Sequence, residues 1–116
     1  MASTLPLNTF KTITVKGLSN TANTVVYTAP VGVTSIVLMA QISNTSGAVH
    51  QVTAGHTVDG GTTVTYLAKS FSIDTTDAAS VLTGKLILES GQGFVLYADS
   101  SSVLDAVLSI LETANQ

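Results

Sequence analysis

The stretch that decides the fold is YTAPVGVTSIV, residues 27–37, in which Pro30 and Gly32 separate two apolar runs. Proline has no N–H and restricts the residue before it to extended geometry, so strand pairing ends here. Gly32 supplies the backbone freedom that a chain reversal needs. The pattern therefore predicts a strand, a turn and a strand at a corner of a β-sandwich, with Tyr27 and the Ile36-Val37 pair in or near the core. The alternative interpretation, a phosphate-binding loop, lacks the G-x-x-x-x-G-K-[ST] spacing and a following helix.

Short β-rich runs separated by turn residues continue along the rest of the chain. They lie at residues 10–16, 24–29, 33–43, 50–58, 62–73, 84–90, 94–100 and 102–112. About seven or eight short strands at this spacing predict an all-β fold, an antiparallel β-sandwich of jelly-roll-like architecture. With 116 residues, we divide the chain into an extended N-terminal arm, residues 1–8, and one β-sandwich domain, residues 9–116.

Four local predictions follow from the same patterns. Asp59-Gly60 between two β-rich runs predicts a hairpin with a type I′ turn, in which both central residues have positive φ. Residues 36–40 are apolar without alternation, which predicts a strand buried on both faces. Residues 74–80, DTTDAAS, predict a polar loop. The tail, residues 102–112, fits a helical stripe or a strand, and we favour a strand with Asp105 and Ser109 facing out.

The chain carries unusually little charge. Only 9% of its residues are charged and the net charge is −3, against about 25% charged residues in a typical domain. Thr and Ser, 31 residues together, must supply most of the polar surface. The four basic residues are all Lys, so a basic patch for nucleic acid is not expected. No apolar run approaches the roughly 18 residues of a membrane-spanning helix, and the N-terminus has no signal-peptide pattern. A weakly charged, threonine-rich surface favours packing against further copies or a larger scaffold.

A search for catalytic or metal chemistry finds no convincing pattern. The sequence has no Cys, which excludes disulfides, thiol nucleophiles and Cys-ligated metals. His50 and His56, on one strand, would lie roughly 20 Å apart. The Asp residues stand singly beside turns, where their side chains bind nearby backbone N–H groups. A structural Ca²⁺ at Asp74 and Asp77 is left open, although the EF-hand spacing is absent. We therefore predict no enzyme activity, no catalytic residues, no metal ligands and no cofactor.

Several segments together carry a resemblance to a known group of proteins. These segments are Val26-Tyr27-Thr28-Ala29-Pro30-x-Gly32, Thr34-Ser35-Ile36-Val37, Tyr66-Leu67-Ala68-Lys69, Gly84-Lys85-Leu86-x-Leu88-Glu89-x-Gly91 and Ser109-x-Leu111-Glu112. In this combination the chain resembles small virion structural proteins of tailed bacteriophages, over residues 24–112. It departs from them at Asp74, where relatives often have Pro, and at Gln92, where they often have an acidic residue.

The resemblance implies an all-β, non-enzymatic virion protein, made in the host cytoplasm. The first hypothesis is a capsid decoration, or cement, protein that forms a homo-oligomer on the head and contacts the major capsid protein. The second is a neck, tail or fibre-attachment protein that contacts neck or tail proteins. A third, from another class, is a carbohydrate-binding, adhesin-like module, which predicts an exposed Tyr or Phe beside Asp or Asn at a loop end. Neither nucleic acid nor membrane is an expected partner.

The N-terminal arm is the candidate subunit contact. Its centre, Leu5-Pro6-Leu7, is apolar, and Pro6 favours an extended backbone. The arm could reach a neighbouring subunit, or it could form an edge strand on its own domain, and the sequence leaves both alternatives open.

Overall fold

A computed structural model describes residues 8–114, and in this range the chain forms nine β-strands. The strands are β1 (Asn8–Val15), β2 (Val25–Thr28), β3 (Val33–Asn44), β4 (His50–Thr57), β5 (Val64–Ile73), β6 (Ala78–Ser80), β7 (Leu86–Leu88), β8 (Gly93–Ala98) and β9 (Leu104–Ala114). No helix long and apolar enough to cross a membrane occurs between residues 8 and 114.

The strands form two antiparallel sheets that enclose the core. Sheet A has the order β1-β9-β3-β6, with β7 also paired to β3, and sheet B has the order β2-β8-β4-β5. Phe94, Leu96, Leu104, Leu108 and Ile42 are among the fully buried side chains of the core. This confirms the predicted all-β sandwich of jelly-roll-like architecture. The strand count exceeds the prediction because β6 lies inside residues 74–80, which were expected to be loop throughout.

The corner at residues 27–37 joins the two sheets, as predicted. β2 belongs to sheet B and β3 to sheet A. Between them the N–H of Val33 donates to the carbonyl of Pro30 at 3.1 Å, and Gly32 has φ 79°, as the third position of a type II turn requires. Val31 at the tip is 93% exposed. Tyr27 and Val37 are buried in the core, whereas Ile36 points to the other face of β3.

The tail is a strand, and the helical alternative is wrong. β9 lies between β1 and β3 in the middle of sheet A. Its even-numbered residues from Leu104 to Ile110 are buried, while Asp105 and Ser109 lie on the opposite face, as the period-2 pattern predicts. The two-residue period of apolar residues extends over the whole strand, whereas the helical pattern fits only part of it.

Besides the loop at residues 74–80, two local predictions need correction, and the first concerns β3. β3 is not fully buried on both faces: Val37 and Ala40 are buried, but Leu38 and Met39 are only half-buried. The register against β9 shifts between Val37 and Met39, and this bulge, rather than two-sided burial, accounts for the lost alternation.

The predicted hairpin joins β4 to β5, but its turn is longer than a type I′ turn. Six residues, 58–63, connect the strands, and positive φ occurs at Gly60 (76°) and Gly61 (102°) rather than at Asp59. The carboxylate of Asp59 accepts hydrogen bonds from the Thr57 hydroxyl at 2.9 Å and the Thr63 N–H at 2.8 Å. These bonds close a wider loop, which a two-residue turn would not need.

The N-terminal arm lies almost wholly outside the described residues. Asn8, predicted as its last residue, is the first residue of β1 and lies opposite Thr113 of β9. Leu5, Pro6 and Leu7 precede the described range, so their predicted role as a subunit contact stays a prediction.

Candidate interaction surface

The outer face of sheet A carries a line of apolar side chains across four strands. Phe10 of β1 lies opposite Leu111 of β9. Leu111 lies opposite Ile36 of β3, and Ile36 lies opposite Ile87 of β7. Directly opposed residues of antiparallel strands share a face, so these four residues form one continuous line, called the apolar row below. Its two ends are open to solvent: Phe10 is 76% exposed and Ile87 is 58% exposed.

Across β1, β9, β3 and β6, the paired rows beside the apolar row contain no charged residue. They consist of Asn8, Thr113 and Thr34; of Thr12, Ser109 and Met39; and of Thr14, Val107, Gln41 and Ser80. The next outward-facing residue of β9 is Asp105, whose carboxylate pairs with Lys16 at 3.0 Å, and Lys85 and Glu89 flank Ile87 at the β7 end of the apolar row. Between these charges the face is a mixed apolar and hydroxyl surface. Such a surface can pack against protein without stripping water from an ion.

A polar cluster ties the two sheets together at one end of the sandwich. The Tyr27 hydroxyl lies 2.7 Å from the Ser35 hydroxyl and donates to the Glu112 carboxylate, which also pairs with Lys11 at 3.5 Å. Burial, followed by the bond to Glu112, raises the pKa of Tyr27 to about 12. Tyr27 is therefore protonated at neutral pH, and this cluster (Tyr27, Ser35, Glu112 and Lys11) links β2 of sheet B to β3, β9 and β1 of sheet A.

The two histidines have separate structural partners. His50 Nδ1 lies 3.0 Å from Asp99 Oδ1, and His56 Nε2 lies 3.0 Å from Gln92 Oε1. Within residues 8–114 no three His, Asp or Glu side chains come together as a metal site would require.

The acidic residues considered for Ca²⁺ organise a turn. The Asp77 N–H donates to the Asp74 carbonyl at 3.1 Å, and the Asp77 carboxylate accepts from the Ala78 N–H at 2.8 Å. These are the short-range backbone bonds that Asp makes at turns. The Asp74 carbonyl and the Asp77 carboxylate thus stabilise the turn that leads into β6.

The exposed aromatic residues do not form the loop-end site expected of a sugar-binding module. Tyr66, 41% exposed, lies within β5, and the ammonium of Lys69 sits 5.0 Å from its ring centroid. One face of this ring is therefore occupied by a cation. Of the other aromatic residues, Tyr27 and Phe94 belong to the core, whereas Phe71 and Phe10 are exposed, and Phe10 is the most exposed of them.

Sequence reasoning did not find the apolar row. Three of its members were noted only as parts of separate runs, because the pairing that unites them joins strands far apart in the chain. Period-2 alternation in residues 10–16 does place Phe10, Thr12 and Thr14 on one face of β1, and that face is the outer one.

Comparison with known proteins finds similarity in structure alone. No family model matches the sequence, and no curated protein matches it. A chain from the structure of Bacillus endospore appendages, described as disulfide-linked pili, superposes with a TM-score of 0.57 and 11% identity, covering 100% of this chain and 96% of that chain. A chain from the acid-stable capsid of Helicobacter pylori bacteriophage KHP30 superposes with a TM-score of 0.53 and 11% identity, covering 96% of this chain and 90% of that chain. At these identities the likeness concerns the fold, and the chain shares its β-sandwich over nearly its whole length with subunits of a pilus and of a phage capsid.

Proposed function

We propose that this chain is a non-enzymatic structural subunit of a bacteriophage particle, a capsid decoration (cement) protein that oligomerises on the head surface. The observation that carries the proposal is the outer face of sheet A, where uncharged rows flank the apolar row across β1, β9 and β3. Depletion of charge around exposed apolar and aromatic side chains is typical of the core of a protein interface. A subunit that must be both soluble and ready to pack gains from such a face.

Two kinds of likeness support the phage part of the proposal. The sequence resembles virion structural proteins of tailed phages over residues 24–112, and the fold is similar to that of a chain from a phage capsid. Another fold relative comes from disulfide-linked pili. This sequence has no Cys, so it cannot use that linkage.

The non-enzymatic part of the proposal is supported by the positions of the reactive side chains. Among the described residues, His50 and His56 have different partners. Tyr27 is held in its neutral form by burial and Glu112. Among the described residues, these side chains thus serve to fasten strands and turns.

The test is the number of copies in purified particles, measured by quantitative mass spectrometry against the major capsid protein. A decoration protein should be present in roughly hundreds of copies that follow the capsid symmetry. Heads stripped of it should lose thermal stability and regain it when the purified protein is added back. A dozen or fewer copies that fractionate with tails would replace the decoration role by the neck or tail role. Absence from particles would refute the virion assignment.

A further inference from the structure

We propose that a second copy of this chain docks against the open edge of β1, with the two β1 strands antiparallel about a two-fold axis at Phe10. The contact would join the two A sheets into one continuous sheet. This inference rests on the proposed function and deepens it by naming the surface through which copies meet.

β1 is the long, regular edge strand of the described structure. Its eight residues pair with β9 without a register shift, and it is the terminal strand of sheet A. The other edges are blunted in ways that natural sheets use against edge pairing. β2 has four residues and a register shift, and β6 and β7 have three residues each. β5 has two register shifts against β4, a positive φ at Ser70 and a lysine, Lys69, next to Ser70.

Several apolar side chains of β1 are only partly buried within a single chain. Phe10, at the end of the apolar row, is 76% exposed. On the inner face, Ile13 and Val15 pack against the core but remain half-buried. An added strand would extend the sheet beyond β1 and cover both faces. Backbone bonds would supply affinity and the side chains would supply specificity, as in other cases of strand addition.

The sequence around Phe10 is compatible with self-pairing when it is read antiparallel. With Phe10 opposite the second copy's Phe10, Lys11 falls opposite Thr9 and Thr12 falls opposite Asn8. The central pair is aromatic, which is a favourable cross-strand pair.

Charge selects this register over its neighbour. The one charged residue of β1 is Lys11, and its ammonium is directed to Glu112. In the register centred on Phe10, Lys11 lies opposite Thr9 of the second copy. Shifting the pairs by one residue on each strand would place Lys11 opposite Lys11, and like charges directly opposite each other are destabilising.

The first experiment measures the oligomeric state of the purified full chain and then traps the contact. Sedimentation equilibrium should show a reversible dimer. Since the sequence has no Cys, Phe10→Cys introduces a single thiol. At the two-fold axis the opposed Cα atoms lie about 4.5–5.5 Å apart, within disulfide range, so mild oxidation should yield a covalent dimer. Thr14→Cys is the matched control on the same strand and face, where the two thiols would be roughly 27 Å apart.

A second set of variants tests the energetics of the same contact. Phe10→Lys, which places two cations at the axis, should weaken dimerisation by at least about tenfold, while the monomer keeps its melting temperature because Phe10 is exposed. Deleting residues 1–7 should also weaken the dimer. Thr14→Lys, on the same face of β1 but away from the two-fold axis, is the matched surface charge and should have the smaller effect.

Three results would overturn the proposal: a monomer in solution, cross-linking of Thr14→Cys as efficient as that of Phe10→Cys, or a dimer unaffected by Phe10→Lys. These results are separate from the particle measurement. A monomeric protein present in roughly hundreds of copies per particle would refute the β1 contact and keep the decoration role. A protein that dimerises through β1 but is absent from particles would keep the β1 contact and refute the decoration role.

Discussion

Removing one hydroxyl from the Tyr27 cluster tests whether this cluster holds the two sheets together. In Tyr27→Phe the ring remains, so packing is nearly unchanged, but the bonds to Ser35 and Glu112 are lost. Ser35 is 0% exposed, and leaving a buried hydroxyl without that partner costs about 1–3 kcal/mol. Glu112 keeps Lys11 and has 12% of its side chain exposed, so water can replace part of its lost bond. We expect a loss of about 3 kcal/mol from the free energy of unfolding, a large share of the roughly 5–15 kcal/mol of a typical domain.

The assay is urea unfolding at neutral pH followed by far-ultraviolet circular dichroism. Tyr66→Phe is the matched control, since Tyr66 is 41% exposed, and surface substitutions usually stay within about 0.5 kcal/mol. Adding Ser35→Ala to Tyr27→Phe removes the hydroxyl that was left without its partner and should recover about 1 kcal/mol. A loss below about 0.5 kcal/mol for Tyr27→Phe, or a double variant that is simply additive, would refute the reasoning.

The pH dependence gives an independent signature of the same cluster. The pKa of Tyr27 is raised from 10.0 to about 12, so its neutral form is favoured in the folded state. The corresponding stabilisation is complete below pH about 10 and is lost as the pH rises through about 12. The stability of Tyr27→Phe lacks this alkaline loss. The curves of the two proteins should therefore converge between these pH values, and curves that stay parallel would contradict the assignment.

Three further predictions concern turns and strand ends, each checked by the same unfolding assay. Gly61→Ala places a Cβ 2.8 Å from the Asn23 carbonyl oxygen at φ 102° and should cost more than about 2 kcal/mol. Gly60→Ala, at φ 76° with open space around it, should cost about 1 kcal/mol, and equal losses would contradict the contact argument. Asn44→Ala removes an amide, 3% exposed, that donates to two carbonyls at 2.9 Å, and should cost about 2 kcal/mol; a neutral result would mean that water replaces it. The bond from Lys16 and then the backbone N–H of Gly17 hold the pKa of Asp105 below 3.8, so the stabilisation it gives above that pH is lost as the pH falls further. Asp105→Asn should abolish this acid-dependent part, and an unchanged acid profile would refute it.

Local patterns predicted the elements of this fold better than its interactions. The corner at Pro30 and Gly32 depends on backbone restrictions of those two residues, so it is visible in the sequence. The strand character of residues 104–114 is visible too, because alternation continues beyond one helical turn. The bulge after Val37 was missed because it is set by the register between β3 and β9. A short run of apolar residues is compatible with either a bulge or two-sided burial.

The candidate interaction surface could not be predicted from the sequence, and the reason is physical. The apolar row depends on four strands pairing in one register, and Phe10 and Leu111, its first two members, lie at opposite ends of the chain. The same holds for Tyr27 and Glu112, which are 85 positions apart. Each of these residues has an ordinary local explanation, as an exposed aromatic residue or as a carboxylate at a strand end. Only the pairing within sheet A and its packing against sheet B give them a common role.

The positions of the charges in sheet A support the proposed packing of its outer face. The outward-facing charge of β9 is Asp105, which pairs with Lys16 near one end of the strand, whereas the Lys11–Glu112 pair lies on the inner side of the sheet beside Tyr27. Beyond Asp105 the outer rows of β9 offer hydroxyl groups that water can solvate in the free protein. Those groups cost far less to bury than ions, whose desolvation costs several kcal/mol each. The outer face thus has the uncharged centre that is typical of an interface, and the open edge of β1, with Phe10 at its middle, lies along that centre.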